Sequence, residues 1–170
     1  MFEGWENFYL LLGGASGSLI GLLFIVITLM AGRTREQTLQ GASVYMTPLV
    51  FALAAVLVFS GTALAPHVEP GLVGLVMGGG GLGGLGYGLW IMLRFRKLNL
   101  GEQPHWTDWW CYCVAPVVLS TLLVIAASTV WLDQALAPRA IAVVLMLMLL
   151  MAIRNAWDLV TWLAPGSEAS

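Results

Sequence analysis

The chain has 170 residues, of which 59% are hydrophobic and only 9% are charged, whereas soluble domains carry roughly 25% charged residues. A soluble protein of this size cannot bury so much apolar surface, so the composition excludes a soluble domain and favours a membrane protein. The net charge of −2 argues against nucleic-acid binding. Two cysteines do not make a disulfide framework.

Five apolar segments are each long enough to cross a hydrocarbon core, which takes about 20 helical residues. None alternates with the period of a barrel strand, so we predict an all-α, polytopic transmembrane helical bundle. It forms one transmembrane domain over residues 1–170, with helices at about 8–31, 44–65, 71–93, 109–131 and 138–163. The acidic N-terminus predicts no cleavable signal peptide.

The basic residues predict the orientation, because cytoplasmic loops carry an excess of Lys and Arg. Five of the seven lie in the first and third loops: Arg33, Arg35, Arg94, Arg96 and Lys97. The N-terminus is therefore expected outside and the C-terminus in the cytoplasm. Interfacial aromatic residues agree with this placement, with Trp5, Tyr9 and Trp131 at the outer ends of their helices.

The first predicted helix carries a doubled GxxxG pattern, formed by Gly13, Gly17 and Gly21. In lipid, helices associate through close backbone approach, and glycine at every fourth position opens a groove for another helix. Ser18 adjoins this stripe, and Thr28 follows about two turns beyond its end.

The second predicted helix adds Thr47 and Thr62 to the hydroxyls of the first. Such groups commonly bond to a backbone carbonyl or to the next helix. The alternative is that Ser18, Thr28, Thr47 and Thr62 line a narrow aqueous path. The turn that follows contains His67 and Glu69, which we interpret as solvated, with pH sensing as the alternative.

The third predicted helix is the richest in glycine. Its stripe follows the spacing of three and four residues that marks one helix face: Gly74, Gly78, Gly81, Gly84 and Gly88. Since glycine destabilises helices, this segment is expected to bend or unwind locally, and it is the candidate for a re-entrant segment. Both stripes are compatible with packing inside one chain, with a homo-oligomer, or with a groove for a lipid, a quinone or a partner subunit.

The fourth and fifth predicted helices contain the remaining polar candidates. Cys111 and Cys113 stand near His105 and Asp108, but a C-x-C pair points about 200° apart on a helix, so packing is favoured over metal binding or acylation. Arg154 and Asp158 are four residues apart and face the same way. We interpret them as a local pair near the inner interface, with a charged vestibule or subunit contact as the alternative.

The membrane centre of every predicted helix lacks ionisable residues, which argues against proton-coupled transport and intramembrane metalloproteolysis. The sequence has no Ser-His-Asp set and no P-loop. We therefore expect no enzyme activity, no cofactor and no metal.

Two stretches of the chain carry distinctive motifs. The first runs from Trp5-Glu6-Asn7-Phe8-Tyr9 to Gly21-Leu22-Leu23-Phe24-Ile25-Val26, and the second contains Thr47-Pro48, Phe51 and Ala65-Pro66. Together they resemble a family of small uncharacterised bacterial integral membrane proteins. The resemblance covers roughly the first 66 residues. It implies a multi-pass protein of the bacterial inner (plasma) membrane, and it implies no activity.

The leading hypothesis is a homo-oligomer in the lipid bilayer that assembles through the glycine-rich faces, with an ion or small-solute pore as its extension. The alternative is an accessory or scaffolding subunit whose partner is another membrane protein.

Overall fold

The computed structural model describes residues 1–30, 47–97 and 110–163. In these ranges every regular element is helical, which confirms the predicted all-α class. The elements are α1 (Glu6–Met30), α2 (Thr47–Leu64), α3 (Pro70–Lys97), a π-helical turn (Trp110–Val114) that leads into α4 (Ala115–Leu132), and α5 (Ala137–Leu163).

Four segments are long and apolar enough to cross a membrane: Glu6–Thr28, Pro70–Leu93, Trp110–Leu132 and Ala137–Thr161. They indicate a multi-pass membrane protein. The remaining helix, α2, is shorter than these four spans. Its 18 residues extend about 27 Å at 1.5 Å per residue, which is slightly less than a hydrocarbon core of roughly 30 Å. The predicted start of this helix, at residues 44–46, lies outside the described residues.

The glycine-rich α3 is one continuous helix of 28 residues. The expected local unwinding is therefore wrong, since contacts with α4 support the α3 backbone along its length. The helix also continues to Lys97, beyond the predicted end at residue 93, because an apolar-segment criterion detects only the part that suits hydrocarbon.

Successive helices run antiparallel. Gly13 lies beside Ser60 and Gly17 beside Leu57, which aligns α1 with α2 in opposite directions, and the contacts of α3 with α4 have the same sense. The ends of the bundle can therefore be named. We call the end where α1 and α3 begin the N-terminal end, and the end where α3 reaches Lys97 the basic end.

The last helix joins the two pairs, because α5 contacts α1, α2 and α4. Its buried side chains include Ile141, Leu145 and Leu149, which pack in one apolar core with α2 and α4 residues. Many large apolar side chains point outward, including Leu75 and Phe24 at 66% and 60% exposure. This distribution suits lipid, since outward apolar groups carry no hydration penalty there.

Tyr9 differs from its predicted place in an interfacial aromatic belt. It is fully buried, and its hydroxyl donates a 2.8 Å hydrogen bond to the Pro138 carbonyl. Its ring makes an edge contact with Phe2 at 5.2 Å between centroids. A buried tyrosine needs a polar partner, and the start of α5 supplies one, so Tyr9 fastens α1 to α5.

Candidate functional site

The predicted α3 stripe lies against α4 of the same chain. A Cβ added at Gly81 would lie 2.8 Å from Val124 Cγ2 and 3.2 Å from the Ser120 carbonyl oxygen. The remaining stripe positions also face α4 side chains: Gly74 meets Trp131, Gly78 meets Ala127, Gly84 meets Ser120 and Gly88 meets Val117. These glycines let α4 approach the α3 backbone over about 21 Å, at 1.5 Å per residue.

The predicted α1 stripe is only partly covered. A Cβ at Gly13 would lie 3.2 Å from Ser60 Cβ, one at Gly17 would lie 3.9 Å from Leu57 Cδ1, and Gly21 has no described neighbour within 4 Å. The contact with α2 therefore covers the Gly13 end of the stripe, and Gly21 turns away from α2. The tight part of this contact is reinforced by the buried Ser16 hydroxyl, which donates a 2.6 Å hydrogen bond to the Leu53 carbonyl.

Two small-residue faces point away from the described helices. On α1, Gly14, Ser18 and Gly21 are exposed, and we call them the α1 outer face. On α3, Gly79, Gly83 and Gly86 are exposed and form the α3 outer face. A Cβ at any of these five glycines would meet no described atom within 4 Å. The α3 outer face was not predicted, although its spacing of four and three residues resembles that of the covered stripe.

The hydroxyls proposed to line a path mostly bond to their own helices. Ser18 donates to the Gly14 carbonyl at 2.9 Å, and Thr28 donates to the Phe24 carbonyl at 2.7 Å. Thr62 likewise donates to the Val58 carbonyl at 2.8 Å. The Thr47 side chain lies outside the described residues. Each bonded hydroxyl oxygen keeps acceptor capacity for water or a cation.

The charged pair forms as its spacing predicts. Arg154 Nη1 lies 2.9 Å from Asp158 Oδ2, and both side chains are about one-third exposed. The same nitrogen donates to Asn155 Oδ1 at 3.3 Å. Because the two charges neutralise each other locally, this region presents hydrogen-bonding groups with little net charge.

The start of the fourth span is reshaped by Pro116. A proline in a regular α-helix would lose a backbone hydrogen bond and clash with the carbonyl four residues earlier, that of Tyr112. The π-helical turn Trp110–Val114 stands at this point, and such a turn displaces the carbonyl. Cys113 is buried and Cys111 is half-buried. His105 and Asp108 lie outside the described residues, and within the described ones no three His, Cys, Asp or Glu side chains gather.

A cavity of about 140 Å³ opens between α2, α3, α4 and α5. Its floor is at Phe59, whose ring rests directly on Gly80. From Gly80 it extends toward the basic end as far as Ile91, which is about 16 Å along α3. Phe51 and Tyr87 stand at its outer rim with ring centroids 6.3 Å apart.

The walls of the cavity are mainly apolar, with a small number of polar groups. Ser120 and Asn155 both line it. Ser120 is 7% exposed, and its hydroxyl makes no hydrogen bond to a described residue, whereas Thr121, Ser128 and Thr129 on the same helix each donate to a nearby carbonyl. The sequence does not single Ser120 out, since its surroundings depend on α2 and α5 residues that are distant along the chain.

Comparison with protein-family models, with curated proteins and with solved structures gives no match. The resemblance over the first 66 residues therefore stays a prediction.

Proposed function

We propose that this protein is a homo-oligomer of the bacterial inner membrane, with its N-terminus outside, whose subunits meet through the α1 and α3 outer faces. The observation that carries the proposal is that none of the described residues covers these two small-residue faces. In lipid, such faces allow the close backbone contact that drives helix association. The orientation rests on the predicted excess of basic residues in the first and third loops.

The α1 outer face is the stronger candidate contact. Exposed positions on α1 recur at alternating spacings of four and three residues, which is the repeat of a helix–helix seam. They are Asn7, Leu11, Gly14, Ser18, Gly21, Ile25 and Thr28. The small residues stand at the centre of this series, where a partner backbone could approach most closely, and the flanking Leu11 and Ile25 would pack around them.

A pore is the extension of this proposal. Ser18 and Thr28 lie on the same seam, so several α1 helices around an axis would bring rings of hydroxyl oxygens together. These oxygens donate to their own helix and keep lone pairs for water or cations. Arg154 and Asp158 stand on another helix as a closed pair, so the hydroxyls carry the pore proposal and the charges do not.

The test is the native mass of the protein in lipid nanodiscs. We expect a defined oligomer for the unmodified chain and a shift toward monomer for a Gly14→Leu/Gly21→Leu double variant. The control is Gly61→Leu, which places the same bulk on an exposed glycine of α2 with no described neighbour within 4 Å. A monomer for all three proteins would overturn the proposal.

A monomer that co-purifies with a second membrane protein would favour the accessory-subunit alternative, because a partner helix could cover the same faces. If the unmodified chain is an oligomer, conductance across planar bilayers tests the pore. We expect a Ser18→Ala/Thr28→Val variant to conduct less while keeping its native mass. An oligomer that shows no conductance in several salts would contradict the pore proposal and leave the homo-oligomer proposal standing.

A further inference from the structure

The cavity between α2, α3, α4 and α5 has features that self-association leaves unexplained. It lies inside one chain, it is apolar along its length, and it contains a nearly buried hydroxyl on Ser120 with no described partner. A polar group out of water is stabilised only when it finds a hydrogen-bonding partner. We infer that the cavity binds an uncharged single-chain lipid, whose carbonyl oxygen accepts hydrogen bonds from Ser120 and Asn155.

The size of the cavity selects a single chain. Its volume of about 140 Å³ is close to that of an engineered apolar cavity of roughly 150 Å³ that holds one benzene ring. A cavity that holds about one benzene ring takes a segment of one aliphatic chain and excludes a second chain, so the rest of the molecule extends out through the rim. The apolar floor formed by Phe59 on Gly80 and the flanking Leu123 and Met148 contact methylene groups without leaving a polar atom unpaired.

The polar groups select an uncharged head. Ser120 and Asn155 both line the cavity, and each has a donor, the Ser120 hydroxyl and the Asn155 amide nitrogen. The Asn155 carbonyl oxygen already accepts from Arg154, and that guanidinium is paired with Asp158. An anionic head would therefore meet no unpaired cation among the described lining residues and would lose its hydration without compensation.

The cavity also has a route to the bilayer. Phe51 is 64% exposed and Tyr87 is 38% exposed, and the two rings flank the rim between α2 and α3. A lipid can enter sideways between these helices while its chain remains in apolar surroundings. The inference is independent of the oligomer proposal, because all lining residues belong to one chain.

The experiment uses a monoacylglycerol with a photoactivatable diazirine in its chain, added to the full chain in phosphatidylcholine nanodiscs. We expect labelled peptides to map to the lining residues of α2, α4 and α5. Ala55 lines the cavity, and Ala55→Phe fills it, so labelling should fall about tenfold. Ala54→Phe adds the same bulk to a half-buried neighbour outside the lining and should leave labelling unchanged.

A milder pair tests the hydrogen bond. Ser120→Ala should reduce labelling about fivefold, the effect of one hydrogen bond, whereas Ser128→Ala, whose hydroxyl bonds to its own helix at 2.7 Å, should have no effect. A fatty-acid carboxylate with the same diazirine should label less than the monoacylglycerol. If all variants were labelled equally and the labelled residues all faced outward, the probe would be binding only as annular lipid around the protein. That result would overturn the inference. Equal labelling by the carboxylate, or an unchanged Ser120→Ala variant, would overturn carbonyl recognition.

Discussion

The two antiparallel helix pairs, α1–α2 and α3–α4, use glycine in different ways. In α3–α4 every stripe glycine from Gly74 to Gly88 faces a residue of α4, and at Gly81 the α4 backbone itself lies against the glycine. In α1–α2 the contact is tight at Gly13, ordinary at Gly17 and absent at Gly21. A small-residue pattern thus permits close approach over its length, but the neighbouring helix decides how much of it is used.

The largest expected effect comes from adding bulk where two backbones meet. Gly81→Leu should destabilise the folded chain by roughly 3 kcal/mol or more, because the Ser120 carbonyl and the Val124 backbone nitrogen would both lie 3.2 Å from the new Cβ. The measurement is denaturant unfolding in detergent micelles. Gly79→Leu, two positions away on the α3 outer face, is the matched control and should not destabilise the chain, because a Cβ there meets no described atom within 4 Å. Equal destabilisation by both would show that glycine content, and not the contact with α4, stabilises α3.

A smaller effect is expected in the α1–α2 pair, where a side-chain hydrogen bond supplements the backbone contact. Ser16→Ala should reduce stability by about 1 kcal/mol, because it removes the bond to the Leu53 carbonyl. Ser60 is equally buried, and its hydroxyl has no hydrogen-bond partner within the described ranges. Ser60→Ala should therefore be neutral or stabilising in the same unfolding assay. Equal losses in both variants would contradict the assignment of the hydrogen bond.

The smallest expected effect on stability is an increase, not a loss. A Cβ at Gly78 would lie 3.7 Å from Ala127 Cβ, which is ordinary van der Waals contact. Gly78→Ala should stabilise α3 by about 0.5 kcal/mol, since alanine loses less backbone entropy than glycine in a helix. Gly81→Ala is the comparison and should destabilise the fold. If both raise stability, α4 can move away from α3 at little cost.

Much of the fold could be predicted because each span is encoded locally. The ends of α1 and α5 agree with the predicted ends to within two residues, since a long apolar run has only a helix available to it in lipid. The π-helical turn before Pro116 and the burial of Tyr9 were not predicted. Both depend on neighbours: the turn accommodates a proline near the helix start, and Tyr9 is buried by the beginning of α5.

The candidate sites also divide into one that the sequence predicts and one that depends on the tertiary structure. The Arg154–Asp158 pair follows from its spacing of four residues on one helix, and the structure contains it. The cavity at Ser120 could not be read from the chain, because its walls come from four helices that are distant in sequence. The isolation of Ser120 from a partner becomes visible only when those helices are assembled.

The sequence by itself determined that the chain is helical and suited to a membrane, because composition and the length of apolar segments are properties of each segment alone. It also determined where glycine stripes occur. Only the tertiary structure decided that Gly81 lies against α4 while Gly14 and Gly79 face outward. The physical reason is that glycine removes a steric barrier on every face it occupies, whereas the helix that comes close is selected by packing across the whole bundle.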